Sequence, residues 1–355
     1  MSSRRPSLSH VTAGAILLLS LSACRDATPP VAPTTRVARA VTASTRGLPN
    51  VTMLGAPVFG LDAAPDGSLL AAVSSSGLVG IRADGVRTIA TLPGLNGVAA
   101  IGSGEAFVVT GGSLDPAMVF PTSRKIFRVS NGRVREIADL WAYEQAVNPD
   151  QVWNTGALAV ESNPFGVALL QGGRALVADA AANDVLIVEP DGTVDWVAVL
   201  TPVSNPGPEP VPTAVAVGPD GNYYVGELTG FPATPGLSRV WRIAAGSRHV
   251  LCPSTACRLV ASGFTSIMGL AFGTDGTLYV VEFDEASWLG VQNNGFAMTQ
   301  AGGTVDACDI STGACSVLAG QLSLPTAITV DRNGAVWITE HVPMLFAAAR
   351  VRRIQ

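Results

Sequence analysis

Short apolar segments alternate with glycine-containing turns along most of the chain, and one arrangement recurs six times. In each copy an apolar segment runs into the turn, and a second β-rich segment follows it. The clearest copies are Thr213–Glu227, Met268–Glu282 and Thr326–Glu340. The weaker copies are Gly60–Val73, Gly97–Thr110 and Phe165–Asp179. Because the turn glycines supply the positive φ angle that a tight hairpin needs, the pattern predicts six β-hairpins.

Each hairpin is followed by enough chain for two more strands, as in Arg239–Ile243 and Arg350–Ile354. Six such units predict an all-β fold, a six-bladed β-propeller with four-stranded blades. The long helices of an α/β barrel have no counterpart in this pattern. A solenoid is the competing repeat architecture, but the irregular spacing of the units favours a closed ring.

The last repeat predicts how the ring closes. It supplies three strands, at Pro325–Asp331, Ala335–His341 and Arg350–Ile354, and lacks an outer one. We expect the segment Asn50–Leu54, from the beginning of the mature domain, to be that fourth strand. Such pairing would cover an edge that is otherwise prone to aggregation.

The N-terminal segment has the features of an export signal. Arg4 and Arg5 precede a short apolar run, and Leu21-Ser-Ala-Cys24 matches a lipobox. Residues 1–23 are therefore predicted to be a lipoprotein signal peptide, with Cys24 as the lipidated residue. The alternatives are an ordinary secretory signal and, because of the two arginines, a twin-arginine signal. The apolar run is too short for a membrane-spanning helix.

Residues 24–49 are rich in Pro, Thr and Ala and predict a tether, which leaves residues 50–355 for the propeller. We therefore expect a protein of the cell envelope, exported and held to the membrane by its lipid anchor alone.

The charge composition excludes one class of partner. Acidic residues outnumber basic ones by 27 to 22, and Lys125 is the single lysine, so a nucleic-acid partner is not expected. We expect a monomer that binds a small molecule or a protein.

Four cysteines of the mature domain form two close pairs, Cys252 with Cys257 and Cys308 with Cys315. Zinc is the alternative, but neither spacing is the usual one and the chain has only three histidines. In an exported protein we expect two local disulfides. Both fall in connections between the third and fourth strands of a blade, on the face opposite the long loops.

Several segments resemble the ScyD/ScyE family of exported propeller proteins, which are related to NHL-repeat proteins. The segments that carry the resemblance are Ala142–Asp150, Glu161–Leu170, Val177–Leu186 and Val211–Pro232. Two features depart from the family pattern: Glu161, where the family more often has aspartate, and the two cysteine pairs. The resemblance implies a propeller and an export context, and it implies no established reaction.

The long insertions predict which face of the propeller binds a ligand. They lie between strands 2 and 3 of a blade or between blades, so all belong to one face, here called the insertion face. We expect a ligand at the channel mouth of this face. The candidate ligand-binding residues are Tyr143, Glu144, Asn163, Glu227, Phe231, Glu282 and Glu340. The alternative is that the aromatic residues of these loops only pack against the blades.

Four acids end second strands in successive blades and are expected to surround the channel mouth: Asp179, Glu227, Glu282 and Glu340. They are candidate metal ligands, and Ca²⁺ is the one cofactor for which the sequence offers donors. The structural alternative pairs each acid with an arginine of the neighbouring strand, as Glu227 with Arg239 and Glu340 with Arg350. Glu282 has no such arginine and is expected to be the free member.

Two functional classes follow from these features. A binding or scaffold propeller is the prediction, with no catalytic residues assigned. A Ca²⁺-dependent hydrolase or lyase of the lactonase-like propeller class is the alternative, using the acidic mouth. His341, beside Glu340, is the only histidine placed for acid–base work, and the sequence has no G-x-S-x-G, H-E-x-x-H or phosphate-loop motif.

Overall fold

The computed structural model describes residues 47–113, 119–156, 159–204, 207–341 and 348–355. Within these residues the chain is almost entirely β, and its strands form six antiparallel sheets. The sheets are arranged as the blades of a six-bladed β-propeller, which confirms the predicted fold class. The predicted signal peptide, Cys24 and most of the tether lie outside the described residues. In the described part of the chain, no helix is long and apolar enough to span a bilayer.

The first three blades follow the chain in order. Blade 1 contains β2 (Val58–Ala63), β3 (Leu69–Val73), β4 (Gly77–Arg82) and β5 (Gly85–Thr91). Blade 2 contains β6 (Leu95–Gly102), β7 (Glu105–Thr110), β8 (Lys125–Ser130) and β9 (Arg133–Asp139). Blade 3 contains β10 (Pro164–Leu170), β11 (Arg174–Asp179), β12 (Asp184–Val188) and β13 (Val194–Leu200).

The other three blades do not follow the chain strictly, because blade 4 skips β17 and blade 6 takes β1 from the N-terminal end of the domain. Blade 4 contains β14 (Pro212–Val217), β15 (Tyr223–Glu227), β16 (Ser238–Ile243) and β18 (Cys257–Phe264). Blade 5 contains β19 (Ile267–Phe272), β20 (Leu278–Glu282), β21 (Gly303–Asp309) and β22 (Ala314–Leu322). Blade 6 contains β23 (Ala327–Val330), β24 (Val336–His341), β25 (Ala349–Arg353) and β1 (Val51–Leu54).

The ring closes as the sequence predicts. Strand β1 is the outer strand of blade 6 and pairs antiparallel with β25, from Val51 opposite Arg352 to Leu54 opposite Ala349. Leu54 is buried in the same apolar cluster as Trp337 of β24, which lies on the other side of β25 in this sheet. The pairing therefore combines main-chain hydrogen bonds with burial of an apolar side chain.

Blade 3 has a fifth strand that the four-stranded pattern did not predict. Strand β17 (Val250–Cys252) leaves blade 4 between its third and fourth strands and pairs parallel with β13. The Thr201 hydroxyl donates a hydrogen bond of 2.6 Å to the Cys252 carbonyl oxygen. The disulfide Cys252–Cys257 then joins the end of β17 to the beginning of β18. The second disulfide, Cys308–Cys315, closes the hairpin between β21 and β22, so both predicted pairings are confirmed.

The inner strands pack closely because glycine stands where neighbouring blades meet. A Cβ atom on Gly97 would lie 2.4 Å from the Phe165 carbonyl oxygen of the next blade. One on Gly166 would lie 2.8 Å from the Thr213 carbonyl oxygen. The innermost strands therefore approach one another at a distance that no larger residue permits.

Apolar side chains of non-adjacent blades meet near the axis of the ring. Phe59 of blade 1 and Phe165 of blade 3 are not in adjacent blades, yet their rings meet edge to face with centroids 6.0 Å apart. Phe165 also shares a buried cluster with Met268 of blade 5 and Ile328 of blade 6. The acids at the ends of the second strands are buried within their blades, which differs from the expected ring of carboxylates around an open mouth.

Two short helices decorate the insertion face. Helix α1 (Leu140–Val147) and a 3₁₀ turn (Pro149–Val152) belong to the link between blades 2 and 3. The Asp139 side chain caps α1 by accepting a hydrogen bond from the Ala142 backbone N–H. Helix α2 (Ser287–Asn293) lies in the long 2–3 loop of blade 5.

Candidate functional site

In blade 4 the strand-end acid is fully engaged by donors. Both carboxylate oxygens of Glu227 accept hydrogen bonds from the Arg239 guanidinium, at 2.6 and 2.8 Å. The Trp241 indole N–H donates a third bond of 2.6 Å. Burial raises the pKa of Glu227 to about 7, although Arg239 opposes this rise. Glu227 thus braces its own blade, as the structural alternative predicted.

Blade 6 repeats the arrangement with two arginines. Arg350 and Arg352 donate to the same Glu340 oxygen at 3.0 and 2.7 Å, and the Ser323 backbone N–H donates to the other oxygen at 3.1 Å. Burial alone would raise the pKa of Glu340, but these three donors together hold it below its ordinary value. The carboxylate is therefore ionised and structurally committed.

Blade 5 has the strand-end acid, Glu282, without an arginine partner in the described residues. Glu282 accepts hydrogen bonds from the Thr265 backbone N–H and from the Thr304 hydroxyl. The same hydroxyl lies 2.9 Å from Glu285 and 3.3 Å from Asp306, so three carboxyl groups converge on one donor. Burial, with the charges of Glu285 and Asp306 nearby, raises the pKa of Glu282 to about 9. No arginine pairs with Glu282 in the described residues, but its two hydrogen bonds mean that it is not the free acid that the sequence led us to expect.

The register of strands 2 and 3 explains these differences. The residue opposite the strand-end acid is Arg350 in blade 6 and Thr304 in blade 5. In blade 3 it is Asp184, which stands directly opposite Asp179. Directly opposed residues of an antiparallel pair project to the same side of the sheet, about 5 Å apart. Blade 3 therefore places two carboxylates where blades 4 and 6 place an ion pair.

Asp179 and Asp184 have very different environments. Asp179 accepts hydrogen bonds from the Ser162 hydroxyl at 2.6 Å and from the Asn163 backbone N–H at 2.5 Å. Asp184 is 0% exposed, and neither of its carboxylate oxygens has a hydrogen-bond partner in the described residues. Burial, followed by the charges of Asp179, Glu144 and Asp150, raises its pKa well above the ordinary value.

Helix α1 and the 3₁₀ turn add two more buried acids above blade 3. The Asn154 and Asn183 amides donate to the same oxygen of Asp150 at 2.9 and 3.0 Å. The Asn148 amide, oriented with its nitrogen toward the acids, bridges Glu144 and Asp150 at 2.8 and 2.9 Å. Burial and neighbouring carboxylates raise the pKa of Glu144 to about 9 and that of Asp150 to about 7.

One basic side chain lies beside this group. The Arg124 guanidinium stacks over the Trp141 ring at 4.5 Å and donates to the Ser113 carbonyl oxygen at 2.9 Å. The charges of Asp179 and Glu161 act on it, but Arg124 Nε and Glu161 Oε1 are both buried without hydrogen-bond partners in the described residues. The acids of blade 3 and its links are therefore not neutralised by this one cation.

The other candidate residues have separate positions. Tyr143 packs against the apolar core beside blade 3. The side-chain oxygen of Asn163 accepts hydrogen bonds from the Asn96 amide at 3.1 Å and the Gly112 backbone N–H at 3.0 Å, which ties blade 3 to blade 2. Phe231 remains 40% exposed. The seven candidates thus divide into a group near blade 3, one buried acid in each of three other blades, of which Glu227 and Glu340 pair with arginines, and an exposed aromatic ring.

The aromatic residues of the long loops also divide between packing and exposure. Trp288 of helix α2 is buried, and its indole N–H donates to the Thr229 carbonyl oxygen at 2.9 Å. Phe120 and Phe231 are instead substantially exposed. Apolar side chains exposed in the loops and links of blades 2–4 are Val119, Phe120, Val147, Val152, Val160, Val203 and Phe231.

The histidines have structural surroundings. His341 is fully buried, its Nδ1 lies 2.9 Å from the Leu324 carbonyl oxygen, and its Nε2 lies 3.4 Å from the Val58 backbone nitrogen. Burial lowers its pKa to about 4, so the ring is neutral near pH 7. His249 pairs with Asp195 at 2.7 Å on the opposite face.

Sequence reasoning did not single out Asp150, Asp184, Asp306 and Glu285. A signal for Asp184 was present in the segment Asp179-Ala-Ala-Ala-Asn-Asp184, because a short turn between paired strands brings its flanking residues opposite each other. No three His, Cys, Asp or Glu side chains of the described residues are arranged so that they could hold a metal ion.

The six sheets and the closure of the ring by β1 together define a six-bladed β-propeller. Searches with protein-family models gave no match, and no curated protein matches the sequence. The chain is similar in structure to a protein of unknown function from Bacteroides thetaiotaomicron, with 15% identity and a TM-score of 0.55. The match covers 83% of this chain and 69% of that one.

Two further solved structures share the fold. A gluconolactonase from Xanthomonas campestris is 15% identical with a TM-score of 0.53, over 93% of this chain and 99% of that one. A putative glucose dehydrogenase from Thermus thermophilus is 14% identical with a TM-score of 0.52, over 86% of this chain and 100% of that one. At these identities the likeness establishes the architecture and not an activity.

Proposed function

We propose that the protein is an exported, membrane-tethered binding or scaffold propeller of the ScyD/ScyE type. Its binding surface is the insertion face, and its ligand is a small molecule or protein with an apolar surface. The lipid on Cys24 and the tether of residues 24–49 would hold this monomeric domain at the membrane. The family resemblance of the segments above blades 3 and 4 supports the assignment.

The observation that carries the proposal is the concentration of exposed apolar side chains above blades 2–4. They belong to consecutive loops and links of one face and not to the edges of the blades. Contiguous apolar surface on a soluble domain commonly marks an interaction site. The same face carries the long insertions, and binding residues are disproportionately found on loops held by a rigid scaffold.

The loop that carries Phe231 is fixed before any ligand arrives. The Thr229 and Gly230 backbone N–H groups donate to the carbonyl oxygens of Pro210 and Glu209 at 3.0 and 2.7 Å. The Thr229 and Ser238 hydroxyls lie 3.1 Å apart and hydrogen-bond to each other. A side chain presented by a preorganised loop loses less entropy on binding, so an exposed Phe231 is suited to contact a partner.

A Ca²⁺-dependent hydrolase or lyase is the competing proposal. Its acid–base candidate, His341, is buried beneath the insertion face and engaged by main-chain groups of blades 1 and 6. Glu227 and Glu340 are committed to arginines. These contacts favour the binding function over catalysis at the mouth.

The apolar probe bis-ANS tests the proposed surface. We expect saturable binding to the purified protein, followed by fluorescence. Phe231→Ser should weaken it about tenfold, because the ring supplies one to a few kcal/mol of apolar contact. The matched control is Val317→Ser, which removes an apolar side chain that is 63% exposed on the outer strand β22 of blade 5. An equal loss in both variants, or no saturable binding, would contradict the proposal.

A further inference from the structure

We propose that blade 3 holds a divalent, oxygen-seeking cation, Ca²⁺, between Asp184 and Asp179, beneath helix α1 and the 3₁₀ turn. This site is separate from the apolar binding surface, and neither proposal depends on the other.

The Asp184 carboxyl group is buried without a hydrogen-bond partner in the described residues. An ionised carboxylate needs donors, and a protonated one needs an acceptor for its hydroxyl. Asp184 has neither within the described residues, although it is completely buried. A buried polar group without partners costs free energy in either protonation state. Protonation alone therefore does not explain how the buried Asp184 carboxyl group is stabilised. A bound group that interacts with its two oxygens would explain it.

Asp184 lies among other acids. Asp179, Glu144 and Asp150 each disfavour a negative charge on Asp184. The one nearby cation, Arg124, acts on Asp179 and Glu161 and makes no ion pair within the described residues. Like charges in a buried group oppose one another, so an occupant that carries positive charge is favoured over a neutral one.

The residue opposite the strand-end acid differs in charge between the blades. In blades 4 and 6 the residue opposite the strand-end acid is an arginine, Arg239 and Arg350 respectively. In blade 3 the equivalent residue is Asp184. The same backbone position thus carries a positive group in two blades and a negative group in the third. A bound cation would restore between Asp179 and Asp184 the charge balance that the arginines provide elsewhere.

The donor set selects the kind of cation. Ca²⁺ accepts carboxylate, amide and main-chain carbonyl oxygens in irregular arrangements, whereas Mg²⁺ requires a nearly ideal octahedron. No three acid side chains of the described residues converge as a ready-made metal site, so the cation would complete its shell with main-chain carbonyl oxygens and water. The Asn148 and Asn183 amides turn their nitrogens toward Glu144 and Asp150, so they brace these acids and are not counted as ligands. Histidine and cysteine, which zinc prefers, are not among the side chains described around Asp184.

The test uses the purified full-length protein after chelator treatment, with Ca²⁺ binding followed by calorimetry and stability by thermal unfolding. We expect one Ca²⁺ per chain and a higher Tm with Ca²⁺ than with an equal concentration of Mg²⁺. Asp184→Asn should weaken Ca²⁺ binding at least roughly tenfold, because ligand charge sets affinity. The matched control, Asp306→Asn, removes a buried carboxylate from the other arginine-free group and should leave binding unchanged.

A second variant covers the case in which Asp184→Asn fails to fold. Glu144→Gln, on helix α1, should retain the fold and weaken Ca²⁺ binding. The absence of stoichiometric Ca²⁺ binding to the wild type would overturn the proposal. So would wild-type affinity in the Glu144→Gln and Asp184→Asn variants, or loss of binding in Asp306→Asn alone. A stability that rises on acidification and does not respond to Ca²⁺ would identify a proton-sharing acid cluster instead.

Discussion

Glu227 and Glu282 occupy the same position in adjacent blades, at the end of the second strand. Glu227 faces Arg239, whereas Glu282 faces Thr304. Glu282 also lies beside the carboxyl groups of Glu285 and Asp306, whereas Glu227 accepts a further hydrogen bond from Trp241. Burial raises both pKa values, to about 7 with the arginine present and to about 9 without it.

The raised pKa of Glu282 makes stability depend on pH. An unfolded glutamate titrates near pH 4.3, so between about pH 5 and about pH 9 the folded state holds one proton more than the unfolded state. Because the folded state binds more protons than the unfolded state in this range, Glu282 lowers the free energy of unfolding as the pH rises. The contribution is at most about 1.4 kcal/mol per pH unit.

We therefore expect opposite effects from two isosteric substitutions near pH 8. Glu282→Gln should raise the free energy of unfolding and flatten its pH dependence, because the amide has no proton to lose. Glu227→Gln should lower it by about 1–3 kcal/mol, since Arg239 would lose its carboxylate partner. Urea unfolding at several pH values measures both. An unchanged pH slope in Glu282→Gln would show that Glu282 is ionised in the folded protein.

At the scale of the element, β1 is the strand whose role is easiest to isolate. Deleting residues 1–49 removes nothing from the six sheets, whereas deleting residues 1–55 removes the outer strand of blade 6 and the buried Leu54. We expect the longer deletion to lower Tm markedly relative to the shorter one, or to cause aggregation through the exposed edge of β25. Thermal unfolding of both truncations compares them directly, and equal Tm values would refute a structural role for β1.

The elements could be predicted from sequence to the extent that they repeat. The hairpins, their closure by β1 and both disulfides followed from periodicity, turn glycines and cysteine spacing. Strand β17 could not be predicted because it occurs once, and its pairing with β13 depends on how blades 3 and 4 sit together. The pairing of Glu227 and Glu340 with arginines followed from register, which extends along one hairpin.

The acids around Asp184 could not be predicted from the repeat or from the register of one hairpin. Asp150 and Glu144 come from a link between blades, and only the folded ring brings this link above β11 and β12. The same applies to the axis, where Phe59 and Phe165 meet across a blade that separates them in sequence. Contacts between non-adjacent segments have no local signature, so pattern reasoning placed at an open channel mouth the acids that are buried within their blades.

At the scale of the whole molecule, the attachment to the membrane remains the prediction with the clearest test. Cys24→Ser should abolish fatty-acid labelling and move the protein from the membrane pellet to the soluble fraction. The propeller should stay folded, because its sheets begin at Val51. A variant that is still labelled and still sediments with membranes would show that another segment anchors the chain.

The crossing of β17 from blade 4 to blade 3 has a mechanical consequence. Blades 3 and 4 share main-chain hydrogen bonds as well as side-chain packing, so we expect them to move as one body. Blade 2 has no such strand joining it to blade 3 in the described part of the chain, and side-chain contacts such as that of Asn96 with Asn163 connect the two. Val203 and Phe231 both lie on the joined blades, so we expect the spacing between these two exposed side chains to stay constant when a partner binds.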